Sequence, residues 1–132
     1  HLDINLDYVS NRSLGVSVGS GGIVVVNDSR CIVEFVRTTM RFYQDESCGR
    51  CFPCRIGTVR LREALDGLTG RAELSEDALS RMDSVGALMA TTSACGLGQA
   101  APLVVTGMFR SFRDEVDEHA TGRGCRAGVC SV

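Results

Sequence analysis

Cys48, Cys51 and Cys54 stand in the run SCGRCFPC with two residues between each and the next, and Cys95 follows in SACGLG. This spacing lets a tight, glycine-containing loop aim three thiolates at one point while its backbone N–H groups turn toward the sulfurs, and one distant cysteine can then close the site. The pattern fits a cubane 4Fe-4S cluster. A Cys₄ zinc site is the main rival reading, but structural zinc sites usually take cysteines as two pairs rather than as a triplet plus a remote single. A disulfide or a set of buried thiols would complete the rivals. With every iron held by thiolate there is no open position for substrate, so relay of electrons is expected rather than Lewis-acid catalysis. Arg50 and Arg55 lie inside and just after the loop, where they can offset the anionic charge of a cluster. Gly49 permits a turn there, and Pro53 can open a helix at its first position.

Composition narrows the remaining classes. The 132 residues suffice for one ordinary domain with a hydrophobic core. A net charge of −2 leaves no basic field for nucleic acid or anionic lipid, although all 14 cations are arginine. No apolar run approaches the roughly 20 residues that cross a bilayer, and nothing resembles a signal peptide, so a cytoplasmic setting is expected. Seven cysteines, an odd number in metal-ligating spacing, agree with a reducing compartment. The chain begins at His1 rather than Met, and its first stretch reads as the end of something larger, because a lone apolar strand is not stable by itself.

Residues 1–28 contain the polar stretch HLDINLDYVSNRSLG and then GSGGIVVVND, a glycine-rich turn feeding a short apolar strand. The GSGG run lacks the Gly-Lys-Ser/Thr ending and the strand-before, helix-after context of a phosphate loop, so a turn is the reading. From Ser29 the period becomes helical. Ser29 is the expected N-cap of a first helix to about Gln44, with Ile32, Phe35, Val36, Phe42 and Tyr43 on its apolar side. Pro53 opens a second helix through Ile56, Leu61, Ala64, Leu65 and Leu68, stopping near Gly67 or Gly70. Ser75, with Glu76 and Asp77 in the first turn, begins a third through Ala78, Leu79, Met82, Val85 and Met89. Pro102 stands near the start of a fourth, with Val105, Met108, Phe109, Phe112 and Val116 on one stripe and Arg110–Asp114 and Arg113–Asp117 as outer i,i+4 pairs. The predicted fold is mainly α: a four-helix bundle over residues 29–120 that holds the cluster at one end between two interhelical loops. A short β-containing segment precedes it, and a cysteine-containing tail, residues 121–132, follows.

Three further cysteines, Cys31, Cys125 and Cys130, join His119 in a second candidate set. H-x₅-C-x₄-C at the end of the chain is workable spacing for a Cys₃His zinc site, and Cys31 can reach it if the first and fourth helices are antiparallel neighbours. A reversible Cys125–Cys130 disulfide, a His119 without a role, and Cys31 as a small core residue are the competing explanations.

The combination ESCGRCFPCRIGT, SACGLGQAAP and FRDEVDEH, flanked by GSGGIVVVND and GCRAGVC, resembles the C-terminal iron–sulfur domain of the flavin-bearing, NADH-binding subunit of respiratory complex I and its soluble relatives. The resemblance covers nearly the whole chain. Those relatives include NAD(P)-linked hydrogenases and NAD-dependent formate dehydrogenases, and the CGLGQAAP wording and cysteine-rich tail look more like that branch than like complex I itself. The resemblance implies that Cys48, Cys51, Cys54 and Cys95 are the cluster ligands. It implies FMN and NAD(P) in the parent subunit, on an upstream domain absent from this chain, and other iron–sulfur subunits as partners. Residues 1–28 would match only the end of the family's small β-grasp domain. The fragment alone is then expected to relay electrons without an active site of its own, binding neither nicotinamide nor flavin. GCRAGVC resembles the CPAGVC of hydrogenase-type relatives, where a Cys₃His zinc site is implied and a ferredoxin-like domain follows; here Arg126 replaces the proline and the chain stops at Val132. A hypothesis of a different class makes both sites zinc clips of a structural or docking domain with no redox role.

Overall fold

The computed structural model describes residues 5, 7–13, 18–19, 21–70 and 74–132. Parts of the segment assigned to a β-grasp domain, residues 1–4, 6, 14–17 and 20, therefore lie outside the described residues. After a six-residue helix, α1 (Tyr8–Ser13), the helices are α2 (Ile32–Asp45), α3 (Phe52–Thr69), α4 (Glu76–Thr92), α5 (Gly96–Ala100), α6 (Pro102–Ser111) and α7 (Arg113–Ala120). Among the described residues there is no strand. The apolar run expected as one, Ile23, Val24, Val25 and Val26, is 69%, 70%, 90% and 40% exposed. A strand forms only when its N–H and C=O groups meet another, and the described residues offer no partner.

Helix α2 starts two residues later than expected. Ser29 donates from Oγ to Asn27 Oδ1 at 2.7 Å within a turn, and the cap is Cys31, whose sulfur accepts the Glu34 N–H at 3.4 Å. Glu34 in the first turn favours the helix dipole. The core face of α2 is Val33, Val36 and Met40, at i, i+3 and i+7, whereas Phe35 and Phe42 from the expected stripe are exposed.

Helix α3 opens with Pro53 in its first turn and ends against Gly70, whose N–H reaches the Asp66 carbonyl at 3.0 Å. Its buried side chains Leu61, Leu65 and Leu68 meet Met40 of α2 and Met82 and Met89 of α4 in one core, and complete burial of one such side chain contributes about 1.5–3 kcal/mol. A Cβ added at Gly57 would lie 2.3 Å from Met89 Sδ, so the small residue fixes how closely α3 and α4 approach. Ser75 caps α4 as expected, its Oγ accepting the Ala78 N–H at 3.3 Å.

The expected fourth helix is two. Phe112 leaves helical geometry at φ −135° and ψ 34°, is 42% exposed, and separates α6 from α7. The Arg113–Asp117 pair forms at 2.8 Å, while among the described ion pairs none joins Arg110 to Asp114 across the break. The break lets α6 pack on α4 and α2 while α7 turns onto α3 and α2, burying Val116, His119 and Ala120. Backbone bonds from Leu74 N–H to the Ala120 carbonyl and from Ser131 N–H to the Thr69 carbonyl, both 3.1 Å, tie the chain end to the foot of α3. Among the described residues no helix is long and apolar enough to cross a membrane.

Candidate functional site

Cys48, Cys51, Cys54 and Cys95, separated in sequence, line one cavity of about 150 Å³ with Glu46, Ser47, Gly49, Arg50 and Leu97. Local chemistry explains the convergence. Gly49, at φ +72°, takes the left-handed turn that folds the loop back after Cys48. Cys51 is the N-cap of α3, Cys54 lies on its first turn, and Cys95 is the N-cap of α5, so three of the four thiols stand where free helical N–H groups gather. The Cys51 thiol is held below its ordinary range, chiefly by the backbone N–H of Ala94 in the loop before α5 and then by that of Cys54 in the first turn of α3. Arg50 lines the cavity and the Arg55 stem passes Gly49. Among the described residues neither guanidinium is paired with a carboxylate, which leaves both free to face an anionic group.

Two observations test whether the residues suit a cluster. Ser93, directly before the second loop, has a buried hydroxyl without a protein partner, an orphan that a sulfur-rich group beside it can satisfy. Gly98 stands so close that an added Cβ would lie 2.6 Å from Ser93 Oγ and 2.8 Å from Cys54 Cβ. The donor set is all thiol, and no three of these cysteines are drawn to single-ion distance among the described residues. The residues fit a group larger than one ion.

The second set is the opposite. Ligand atoms of Cys31, His119, Cys125 and Cys130 all lie within 4.8 Å of one another. Cys31 Sγ is 3.3 Å from His119 Nε2 and 3.6 Å from Cys130 Sγ; tetrahedral thiolates about 2.3 Å from zinc are separated by about 3.8 Å. His119 is 1% exposed, and its Nδ1, 2.7 Å from the Glu115 carbonyl, must be the donor because that oxygen only accepts. The Nε2 lone pair is thereby aimed at the three sulfurs, the tautomer a metal ligand requires. Burial pushes the Cys31 and Cys130 thiols up. Burial also raises Cys125, but N–H groups of Val129 and Cys130 and the neighbouring thiols outweigh it and bring Cys125 below its usual value. The expected reach from the start of the first long helix to the end of the last thus holds, and Cys31 is at the same time buried in the core.

Ser47, Ser93 and Gly98 were not among the residues expected from spacing. Ser47 is the immediate sequence neighbour of Cys48, whereas Ser93 and Gly98 stand two and three residues from Cys95.

Comparison with known proteins shows what the chain is similar to. The chain is 37% identical over 131 residues to the NADP-reducing hydrogenase subunit HndC of Solidesulfovibrio fructosivorans, covering 99% of this chain and 26% of that protein. It is 34% identical over 126 residues to an NADH-quinone oxidoreductase subunit of Streptomyces coelicolor, covering 95% and 28%. It thus spans about a quarter of the length of these curated relatives. A crystal structure of an NAD⁺-reducing [NiFe]-hydrogenase in the H₂-reduced state superposes on 72% of this chain and 16% of its own, with a TM-score of 0.69 and 28% identity. The family model for the NADH-ubiquinone oxidoreductase-F iron-sulfur binding region matches residues 34–119, a span that runs from the first turn of α2 through the cysteine cavity to His119, and the chain belongs to that family.

Proposed function

We propose that Cys48, Cys51, Cys54 and Cys95 hold one 4Fe-4S cluster and that the domain is an electron relay. The observation that carries this reading is the convergence of four thiols from two loops on one cavity, without the gathering that a lone ion demands. When bound, the cluster supplies a site that accepts and releases one electron at a time. The chain's own work is to fix that site's position, to offset its charge with Arg50 and Arg55, and to tune it by N–H and O–H groups aimed at sulfur. Iron and sulfide analysis of the purified protein tests the reading: about four of each per chain are expected, and zinc alone in both sites would leave a structural clip with no redox role.

The compact Cys31, His119, Cys125 and Cys130 set favours a second, structural metal, for which zinc is the choice by donor type. It would pin the start of α2, the end of α7 and the tail together. Residues 29–120 then form the cluster domain, residues 121–132 the metal-clipped tail and residues 1–28 the end of a β-grasp domain.

By its relatives, the parent protein is a subunit of a multisubunit oxidoreductase that carries FMN and NAD(P) on a separate flavin and nucleotide domain. It passes electrons to partner iron–sulfur subunits in the cytoplasm. An NAD(P)-linked hydrogenase is favoured by the likeness to the hydrogenase subunits. A formate dehydrogenase and respiratory complex I are the competing parents, and the active-site subunit that copurifies with the protein decides among them.

A further inference from the structure

Cys54 is unlike the other three cavity cysteines. It is 5% exposed, whereas Cys48 and Cys95 are exposed and Cys51 half-buried. A thiolate removed from water needs donors around it, or its charge is costly to keep. Thr58, one turn further along α3, does not serve, because its hydroxyl is committed to the Cys54 carbonyl at 2.9 Å. The hydroxyl against the sulfur belongs to Ser47, with Oγ 3.3 Å from Cys54 Sγ. Gly49 N–H donates to that same Oγ at 3.4 Å. One lone pair of Ser47 is therefore occupied by a donor from the loop, and its single hydrogen is left for Cys54. Once Cys54 is ionised it can only accept, so the direction of the bond is fixed: Gly49 N–H to Ser47 O–H to Cys54 sulfur. Two hydrogen bonds in series polarise one another and strengthen the last.

The geometry points to Ser47 as a positioning residue that raises the reduction potential of the centre through its hydrogen bond to the Cys54 sulfur. The inference rests on the cluster assignment above. When the centre takes one electron from an external reductant such as dithionite, negative charge on its sulfurs increases, while the hydroxyl proton stays on Oγ throughout. A donor to sulfur is thus worth more in the reduced state than in the oxidised one. The N–H donors to Cys51 are backbone groups that any residue would supply. Ser47 is a side-chain donor, so a substitution can remove it.

The test is an EPR-monitored redox titration of the full-length, cluster-loaded protein and its Ser47→Ala and Ser47→Thr variants, after iron and sulfide have been measured in each. Ser47→Ala should lower the one-electron reduction constant roughly tenfold, a shift of about 59 mV to more negative potential. Ser47→Thr keeps the hydroxyl and should titrate like the parent. A parent without iron and sulfide would sink the cluster assignment, and this inference with it. A loaded parent whose Ala variant titrates unchanged would overturn the role of Ser47 alone. So would equal shifts in both variants, which indicate altered loop packing. Should Ser47→Ala hold no cluster, Ser47→Gly is titrated in its place. Failure of that variant also to load would make Ser47 a structural element of the loop rather than a tuning one.

Discussion

The cysteine cavity at one end of α2 and the Cys/His set at the other solve different problems with the same donor atom. In the cavity no three thiols gather at single-ion distance among the described residues, although Cys51 and Cys54 are near each other; two of the four are exposed, the space they line is about 150 Å³, and a buried serine hydroxyl is left without a protein partner. The tail set draws its four donors within 4.8 Å, buries Cys31 and His119, and fixes the imidazole tautomer by a backbone carbonyl. The difference teaches that cysteine count says little and donor separation says much. An inorganic core several atoms wide needs room and approaching N–H groups, whereas a single ion needs a closed tetrahedron.

The comparison breaks most visibly at Cys95. Cys95→Ala should abolish or convert the cluster, seen as loss of the four-iron absorbance and EPR signal, while zinc stays near one per chain; an undiminished spectrum would refute the assignment of that ligand. The reverse experiment is His119→Ala. It should release zinc and make Cys125 and Cys130 reactive toward alkylation, whereas in the parent they react only after chelation, and it should cost several kcal/mol of stability because a structural metal contributes folding free energy directly. If both thiols alkylate freely in the parent, the tail set is a pair of ordinary thiols. Smaller effects sharpen the picture between the sites. Gly57→Ala forces a Cβ against Met89 and should destabilise by about 1–3 kcal/mol in denaturant unfolding with both metals retained. Ser75→Ala removes a helix cap remote from both and should cost about 1 kcal/mol with unchanged metal content.

How far these sites could be read from sequence depends on the range of the physics involved. The C-x₂-C spacing, Pro53 at a helix start and the Ser75 cap are local matters, decided within a turn of chain, and all were legible. The meeting of Cys31 with His119 was legible too, because alternating long helices make their ends neighbours. The strand expected at residues 23–26 does not form among the described residues, since a strand needs a pairing partner that they lack and that a local apolar pattern does not reveal. The break at Phe112 was hidden by an apolar stripe that runs through it unbroken. Only the need to lay α7 across α3 and α2 reveals it. The cap at Cys31 rather than Ser29 went unseen because hydroxyls are the commoner caps. Phe35 and Phe42 share a helical face that looked like core and proved to be open to solvent. Ser47 and Ser93 carry no spacing signal, because a hydrogen bond to sulfur is set by side-chain direction rather than by period.

Cys31 closes the first turn of α2 with the same sulfur that faces His119, and at the other end of that helix Glu46 borders the cysteine cavity. Fourteen residues of helix, about 21 Å, form the rod between them. During biogenesis, ion capture at the tail would therefore anchor one end of the rod before the cube is delivered to the other. On the proposed assignment of one metal group to each site, the order of their supply becomes a variable of maturation, and zinc starvation would surface as poor iron incorporation.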